Sequence, residues 1–315
     1  MRRSLGIRGS LGIAAMVCSA LVSAACSSGS TANEQQSPVP GTQSGTALPS
    51  PYASQARDVA ATDFSPAIFD AESTVIDNKW LPFKPGSRWT FVGSANGDES
   101  GPRLSRRVVL TITDLTKSVA GVTAVVAREL DFDNGALSEA ELAFFAQDTS
   151  GNIWHLGQYP EEYEGGKVVA APTWIAGLKG AKAGILMRSN PRTGTPDYSE
   201  GYAPPPINWV DHAHIYKTGQ RVCVPGRCYD DVMEIQEYET GKPRAFQHKY
   251  YAPNVGSIKV GWSGANDDEH ETLALTKFER LDAGQLAVAR ADALELEARA
   301  YQRSKDVYAL TARSQ

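Results

Sequence analysis

Residues 123–147 read TAVVARELDFDNGALSEAELAFFAQ, and this stretch decides the predicted fold. Its centre, Asp133-Asn134-Gly135, marks a hairpin turn, because Asn-Gly tolerates positive φ at both central positions. The flanking segments 123–132 and 137–147 have strand-like composition. We therefore expect them to pair as neighbouring antiparallel strands.

The same pattern extends in both directions along the chain. Turn signals recur at residues 96–98, 149–152, 164–167 and 240–242. Strand-like segments lie between and beyond them, at 88–92, 106–113, 153–158, 212–217, 231–238, 245–251, 256–262 and 272–281. Successive strands with short polar turns predict a mainly β domain built as an antiparallel meander. A sheet of this length must curl to protect its edges, so we expect a half-open or closed barrel over residues 57–281.

The C-terminal segment has a different composition. Asp282 is a suitable helix cap, and residues 283–313 are rich in Ala, Leu, Glu and Arg. We predict a C-terminal helix within residues 282–315. Its apolar stripe is weak and consists of Leu286, Ala293, Leu296, Ala300, Val307 and Leu310. The helix is expected to lie against the barrel exterior, with a partner-binding or self-associating helix as the alternative.

The N-terminus predicts export. Residues 1–10 carry three arginines, and residues 11–25 are apolar or small. This apolar run is too short to span a bilayer and suits the core of a signal peptide over residues 1–25. Ser23-Ala24-Ala25-Cys26 resembles the lipobox of bacterial lipoproteins, which implies that Cys26 carries the lipid (including palmitate) and anchors the protein to the cell membrane on its extracytoplasmic side. An ordinary signal peptide is the alternative, and the export route, general secretory or twin-arginine, stays open.

The composition after the signal peptide limits the partners. Residues 26–56 are rich in Ser, Thr, Gly, Pro, Gln and Ala, which predicts a disordered tether between lipid and domain. The whole chain has a net charge of −5, and three of its basic residues lie in the signal peptide. An acidic mature protein has no electrostatic reason to bind a phosphate backbone, so we expect no nucleic-acid partner.

Two cysteines remain in the body of the chain. Cys223 and Cys228 flank a turn marked by Pro225-Gly226. The turn brings the thiols opposite each other, and an extracytoplasmic compartment favours their oxidation to a disulfide. Half of a zinc site is the alternative, but there is no second cysteine pair to complete it.

Three stretches together resemble a known group of proteins. They are Trp80-Leu-Pro-Phe-Lys-Pro-Gly-Ser-Arg-Trp-Thr-Phe91, Ala146-Gln-Asp-Thr-Ser-Gly-Asn-Ile-Trp154 and Lys249-Tyr-Tyr-Ala-Pro-Asn-Val-Gly256, with Ala181–Met187 as a further match. In order and spacing they resemble an uncharacterised family of secreted bacterial proteins, many of them taken to be lipoproteins. The resemblance covers residues 77–260 and implies export, but no activity. Cys223, Cys228 and the Ala-rich tail depart from the family pattern.

Histidines are the first candidates for a site. His212 and His214 share one face of a predicted strand, and His248 lies between Phe246 and Tyr250 on another. If both faces point into the barrel, these histidines must pair or bind a ligand or a metal; if they point outward, we expect solvated, inert side chains. His212 and His214 could also form half of a zinc or copper site. The third ligand would come from His155, His248, His270 or Asp211.

Charged residues within strands are the second candidates. Arg128 interrupts a stripe of apolar residues, so either it finds a partner or the alternation shifts there through a β-bulge. The functional alternative is a cationic anchor at the bottom of a ligand pocket. Asp131, Asp133 and Glu139 resemble a calcium loop, but the spacing fails after Gly135 and a hairpin turn explains the residues. Glu161, Glu162 and Glu164 are expected to be solvated.

These features favour an exported, membrane-anchored lipoprotein that holds a small apolar or amphipathic ligand in its curved sheet, with no cofactor. Catalytic motifs such as Gly-x-Ser-x-Gly do not occur in the chain, so we expect a binding protein more readily than an enzyme. Two alternatives stay open. One is an extracytoplasmic hydrolase or metalloenzyme that uses His212 and His214, and the other is a structural or interaction protein of the envelope.

Overall fold

The computed structural model describes residues 64–96, 102–239, 241–242, 244–267 and 269–315. The predicted signal peptide, Cys26 and the tether lie outside these residues. The described chain forms fourteen strands and one α-helix: β1 (Ser87–Ala95), β2 (Leu104–Val119), β3 (Val122–Asp133), β4 (Ala136–Gln147), β5 (Ile153–Glu164), β6 (Lys167–Ala170), β7 (Trp174–Ile175), β8 (Lys182–Met187), β9 (Tyr198–Ala203), β10 (Trp209–Val224), β11 (Arg227–Glu239), β12 (Phe246–Ala252), β13 (Gly256–Ser263), β14 (Thr272–Arg280) and α1 (Ala283–Arg303).

The sheet closes into an antiparallel barrel of twelve strands. The strand order is β4-β3-β2-β1-β14-β13-β12-β11-β10-β9-β8-β5, and β5 pairs with β4 to complete the ring. The short strands β6 and β7 pair with β5 beside the ring. The predicted mainly β barrel is therefore confirmed, and of its two expected forms the closed one is present. Closure pairs the edges that an open sheet would leave exposed.

The register of β2 and β3 shows which side chains face the interior. Leu110 of β2 lines an interior cavity and lies opposite Glu129 of β3. Side chains that pair directly across a ladder share a face, so Glu129, Asp131 and Asp133 face the interior. The apolar stripe that contains Arg128 consequently faces outward.

The segment before β1 closes one end of the barrel and forms its floor. Phe83 is fully buried there and makes edge-to-face contacts with Trp89 and Phe145 at centroid distances of 5.8 and 5.3 Å. The indole N–H of Trp89 donates to the carbonyl of Val255 at 2.7 Å. The motifs around Trp80 and Val255 are thus parts of one aromatic floor.

The predicted C-terminal helix is present but shorter than the segment 282–315. Asp282 caps it through a capping box with Gln285, and it ends at Arg303 after packing on the outer surface of β2 and β4. Beyond it the chain turns back, buries Tyr308, and pairs Gln315 with Thr116 of β2 through two backbone hydrogen bonds of 2.9 Å. These tertiary contacts outweigh the helix propensity of the last residues, which is worth only tenths of a kcal/mol each.

The hairpin of β10 and β11 ends in a disulfide. Cys223 and Cys228 are directly opposite in the register and are bonded to each other. The predicted disulfide is confirmed, so the zinc alternative for these cysteines is wrong. Among the described residues, no helix is both long enough and apolar enough to cross a membrane.

Candidate functional site

The interior of the barrel is lined with acidic side chains. Nine carboxylates are buried there, and in the described chain only two buried cations, Arg106 and Lys249, share the space. The nine are Glu129, Asp131, Asp133, Glu139, Glu141, Glu200, Asp211, Glu237 and Glu271. Most occur at alternating positions of β3, β4 and β9–β11, where the two-residue period directs them to the same side. Buried charges are costly unless they are paired, so this layer is the first candidate for a site.

Arg106 is the cation of the first cluster. Its guanidinium lies 2.6 Å from Asp131, 2.8 Å from Glu271 and 3.9 Å from Asp133. Burial disfavours the charge of Arg106, but the carboxylates of Glu271, Asp131 and Asp133 outweigh this and raise its pKa. Arg106 therefore stays charged inside the barrel.

Lys249 is the cation of the second cluster. Its ammonium group lies 2.6 Å from a carboxylate oxygen of Glu237. Burial disfavours the charge, but Glu237 and then Glu200 oppose that effect, and the pKa of Lys249 is raised. Gln247 on the same strand donates to Glu271 at 3.1 Å, which connects the two clusters.

The remaining carboxylates exceed what two cations can neutralise. Burial raises the pKa of Glu139 and Glu141 well above the ordinary value, and repulsion from neighbouring acids raises it further. Burial and the nearby Glu237 likewise raise the pKa of Glu200. Glu200 is 1% exposed, and within the described residues neither of its carboxylate oxygens has a hydrogen-bond partner. Burial thus favours the protonated form of these groups, and a nearby cation would favour the charged form.

The end of the barrel opposite the floor is also acidic. Glu162 and Glu239 are half-buried near the ends of β5 and β11. Burial raises the pKa of each to about 7, with further contributions from Glu164 and Glu269 respectively. Burial raises the pKa of Glu271, deeper inside, to about 8 against the opposing effect of Arg106. This end can therefore gain or lose protons near neutral pH.

A small cavity separates the acidic layer from the floor. Its volume is about 30 Å³, enough for water molecules but not for an organic ligand. The lining is mostly apolar and includes Trp89, Phe91 and Tyr251. Glu129 and Lys249 supply its charged groups. The cavity thus has aromatic rings on one side and the carboxylate layer on the other.

A group of aromatic rings closes one side of the interior. Trp174 and Trp209 stack at 4.8 Å, and His155 lies edge-on to both rings. The indole N–H of Trp209 donates to Asp211 at 2.6 Å. Burial lowers the pKa of His155 to about 3, so its ring is neutral. Gly201 leaves the space for these rings, because a Cβ there would lie 2.4 Å from the Trp209 ring.

The predicted histidine candidates lie together on the outer face of the sheet. His212 and His214 belong to β10 and His248 to β12, with β11 between them. His212 and His248 are not solvated, since they are 4% and 7% exposed, and His214 is half-buried. Tyr238 covers His212 and His214, and Tyr216 lies edge-on to His248. Burial lowers the pKa of both His212 and His214.

His248 has two short polar contacts. Its Nδ1 lies 2.7 Å from Glu234 Oε1, and its Nε2 lies 2.6 Å from Ser263 Oγ. Gln236 Nε2 is 3.3 Å from the same Nε2. No group of three His, Cys, Asp or Glu side chains in the described part of the chain is arranged to hold a metal ion. The imidazole of His248 thus has a carboxylate at one nitrogen and a hydroxyl at the other, an arrangement suited to proton transfer.

The predicted charged candidates separate into two environments. Arg128 lies on the outer wall beneath the helix and pairs with Asp292 at 3.2 Å, away from the interior cavity. Asp131, Asp133 and Glu139 face the interior instead, where the guanidinium of Arg106 contacts Asp131 and Asp133.

Sequence reasoning missed the acidic interior, and its prediction for Glu161 is wrong. Glu161 is fully buried under the helix and accepts hydrogen bonds from Tyr159, Tyr163 and Arg299. The signal for the interior acids was present as carboxylates two residues apart, at 131/133, 139/141 and 237/239. Such spacing is typical of the solvent-exposed face of a strand. In this protein the closure of the barrel turns that face toward the interior.

Comparisons with known proteins give two partial structural likenesses. No protein-family model matches the chain, and no curated protein matches it in sequence. A candidate exported protein with a YmcC-like fold from Bacteroides fragilis has 13% identity and a TM-score of 0.37. A candidate lipoprotein from Parabacteroides distasonis has 13% identity and a TM-score of 0.30. Each match covers 64% of this chain and all of the other, and at these TM-scores neither likeness supports an assignment of function.

Proposed function

We propose that this protein is an exported, lipid-anchored binding protein whose barrel interior takes a small amphipathic cation. The observation that carries the proposal is the excess of buried carboxylates over buried cations above an aromatic floor. A ligand with an ammonium or guanidinium group would replace protons that the carboxylates otherwise hold. Its apolar part would face the rings of Trp89 and Phe91.

Arg106 already makes the kind of contact with buried carboxylates that we expect of the ligand cation. Its guanidinium already lies within hydrogen-bond distance of Asp131 and Glu271. Among the described residues, no cation forms an ion pair with Glu139, Glu141 or Glu200, and burial raises the pKa of all three. Charge-assisted hydrogen bonds to a ligand cation would relieve the cost of burying them.

Entry is expected at the acidic end, where Glu162 and Glu239 are half-buried. A negative rim raises the local concentration of cations and speeds their association. The present cavity of about 30 Å³ holds only water, so binding entails rearrangement of the side chains around it. Aromatic rings next to carboxylates then contribute cation–π contacts.

Binding can be tested with 2-phenylethylamine and its neutral analogue 2-phenylethanol as probes. We expect the amine to raise the melting temperature and to release protons at pH 7, measured by calorimetry in buffers of different ionisation enthalpy. Glu200→Gln is expected to weaken amine binding about tenfold or more, in line with loss of a buried charge-assisted contact. Glu72→Gln, at an exposed position, is the matched control. Equal effects of the amine and the alcohol would exclude a cation site.

The lipid anchor is tested separately. The support is the Ser23-Ala24-Ala25-Cys26 sequence followed by the predicted tether. We expect Cys26→Ser to move the protein from the membrane and detergent phase to the soluble fraction. A variant that partitions into detergent like the parent would contradict lipidation at Cys26.

A further inference from the structure

Three polar side chains form a relay on the outer wall of the barrel. Glu234 of β11, His248 of β12 and Ser263 of β13 lie on three adjacent strands. In the register His248 pairs with Gln236 and Gly261, so Glu234 and Ser263 are its diagonal neighbours on either side. Diagonal neighbours on one face are within reach of long side chains. The imidazole contacts both, at 2.7 and 2.6 Å.

The carboxylate of Glu234 is held in place by further contacts. Gln220 donates to its Oε2 at 3.0 Å, and the hydroxyl of Tyr250 donates to its Oε1 at 3.2 Å. Lys217 lies 3.8 Å from Oε2. Because a carboxylate oxygen can only accept a hydrogen bond, Nδ1 of His248 carries the proton and donates to Glu234. The unprotonated Nε2 can then accept from the Ser263 hydroxyl.

The exposure of the side chains increases along the relay from Glu234 to Ser263. Glu234 is 3% and His248 7% exposed, whereas Ser263 is half-buried and can be reached from outside. Phe246, half-buried, is paired directly with Ser263, and Tyr216, 37% exposed, lies over His248. The hydroxyl of Ser263 thus lies beside an apolar rim formed by Phe246 and Tyr216.

We propose that Ser263, His248 and Glu234 form a second, catalytic site that hydrolyses carboxylic esters with an apolar acyl group. Nucleophile, base and positioning carboxylate have the mutual distances that acyl transfer by serine requires. The site lies on the outer wall and shares no residue with the acidic interior. It is therefore independent of the binding function proposed above.

The chemistry balances with water as the second reactant. Ser263 Oγ attacks the ester carbonyl while His248 Nε2 takes its proton, and the alcohol then leaves with that proton, so that an acyl-serine remains. Water attacks the acyl-serine and gives a proton to His248, which passes it to Ser263 Oγ as the Oγ–acyl bond breaks and the acid leaves. Gln236 places an amide donor beside the same imidazole nitrogen and is the side chain assigned to the developing oxyanion.

A fluorophosphonate probe tests the nucleophile on the folded protein. The Ser263 Oγ–P bond forms, the P–F bond breaks, and the proton passes to His248. We expect a single adduct by intact mass, mapped to Ser263 by peptide analysis and absent in Ser263→Ala. Ser118→Ala, an exposed serine on β2, is the matched control and should label like the parent.

The base and the positioning residue are tested by rate. His248→Gln is expected to slow labelling about 10²-fold or more. Glu234→Gln should lower the maximal labelling rate and leave the half-saturating probe concentration unchanged, with partial rescue by Glu234→Asp. Melting temperatures show that the variants are folded. Absence of an adduct at Ser263 in the folded parent, or labelling that is equally fast in a folded His248→Gln variant, would overturn the proposal.

Discussion

Removal of the interior cation Lys249 gives the sharpest test of the acidic interior. Lys249 is 3% exposed and lies 2.6 Å from Glu237. In Lys249→Met the side chain keeps its length but loses its charge. Glu237 then stays buried only by holding a proton, because an unpaired buried carboxylate costs about 3–5 kcal/mol.

The size of the effect follows from the protonation equilibrium. The ordinary pKa of a glutamate is about 4.5, and burial raises the pKa of Glu237 above it in the parent against the effect of Lys249, so part of the cost of holding a proton is already present there. Holding a proton above that pH costs about 1.4 kcal/mol per pH unit, which is up to about 3.4 kcal/mol at pH 7 and about 1.4 kcal/mol at pH 5.5. The folded variant holds more protons than the unfolded chain in this window, so its stability falls as the pH rises.

Urea unfolding monitored by tryptophan fluorescence measures both values. We expect Lys249→Met to lower the free energy of unfolding by up to about 3 kcal/mol near pH 7 and by less than half of that near pH 5.5. Lys277→Met is the control, because its side chain is 62% exposed in a surface pair with Glu279 and such pairs contribute about 0–1 kcal/mol. A loss below about 1 kcal/mol near pH 7, or one that does not shrink at the lower pH, would refute the argument.

Two further predictions concern the helix contact and the aromatic group. Glu297→Ala leaves the fully buried Lys117 without its carboxylate partner, so it should lower the free energy of unfolding by about 3–5 kcal/mol and expose the C-terminal segment to proteolysis. The control is Glu295→Ala, at a side chain that is 77% exposed, which should change the free energy of unfolding by about 0.5 kcal/mol or less. Gly201→Ala should cost more than about 2 kcal/mol by chemical denaturation, because the new Cβ meets the Trp209 ring, and Gly241→Ala, with open space around it, should not. Equal stability of either variant and its control would contradict the corresponding contact.

Local sequence chemistry was sufficient to predict a mainly β antiparallel barrel with a C-terminal helix, but not whether the barrel closes. The Asn134-Gly135 turn lies between β3 and β4, and the two strands pair as expected. The Asp282 cap and the Cys223–Cys228 bond are likewise present. Each of these features depends on residues close together in the chain, where turn geometry and capping act without the rest of the fold.

The candidate sites depend on contacts between distant segments. Lys249 and Glu200 are 49 positions apart, and Ser263 and Glu234 are 29 apart, so no local pattern joins them. Strand alternation predicts that Glu129 and Arg128 face opposite sides, but it does not say which side is the interior.

What the sequence determined by itself is therefore most of the strands, the turns and the helix cap, because these arise from short-range sterics and hydrogen bonding; the short strands β6 to β9 were not predicted. Ring closure between β4 and β5 was decided by the tertiary structure, and so was the part of the outer wall that the expected exterior helix covers. Those contacts cover the apolar outer faces of the barrel and turn acids such as Asp131 and Glu141 inward. The physical reason is that the side which becomes buried is set by what packs against a strand, and that partner comes from elsewhere in the chain.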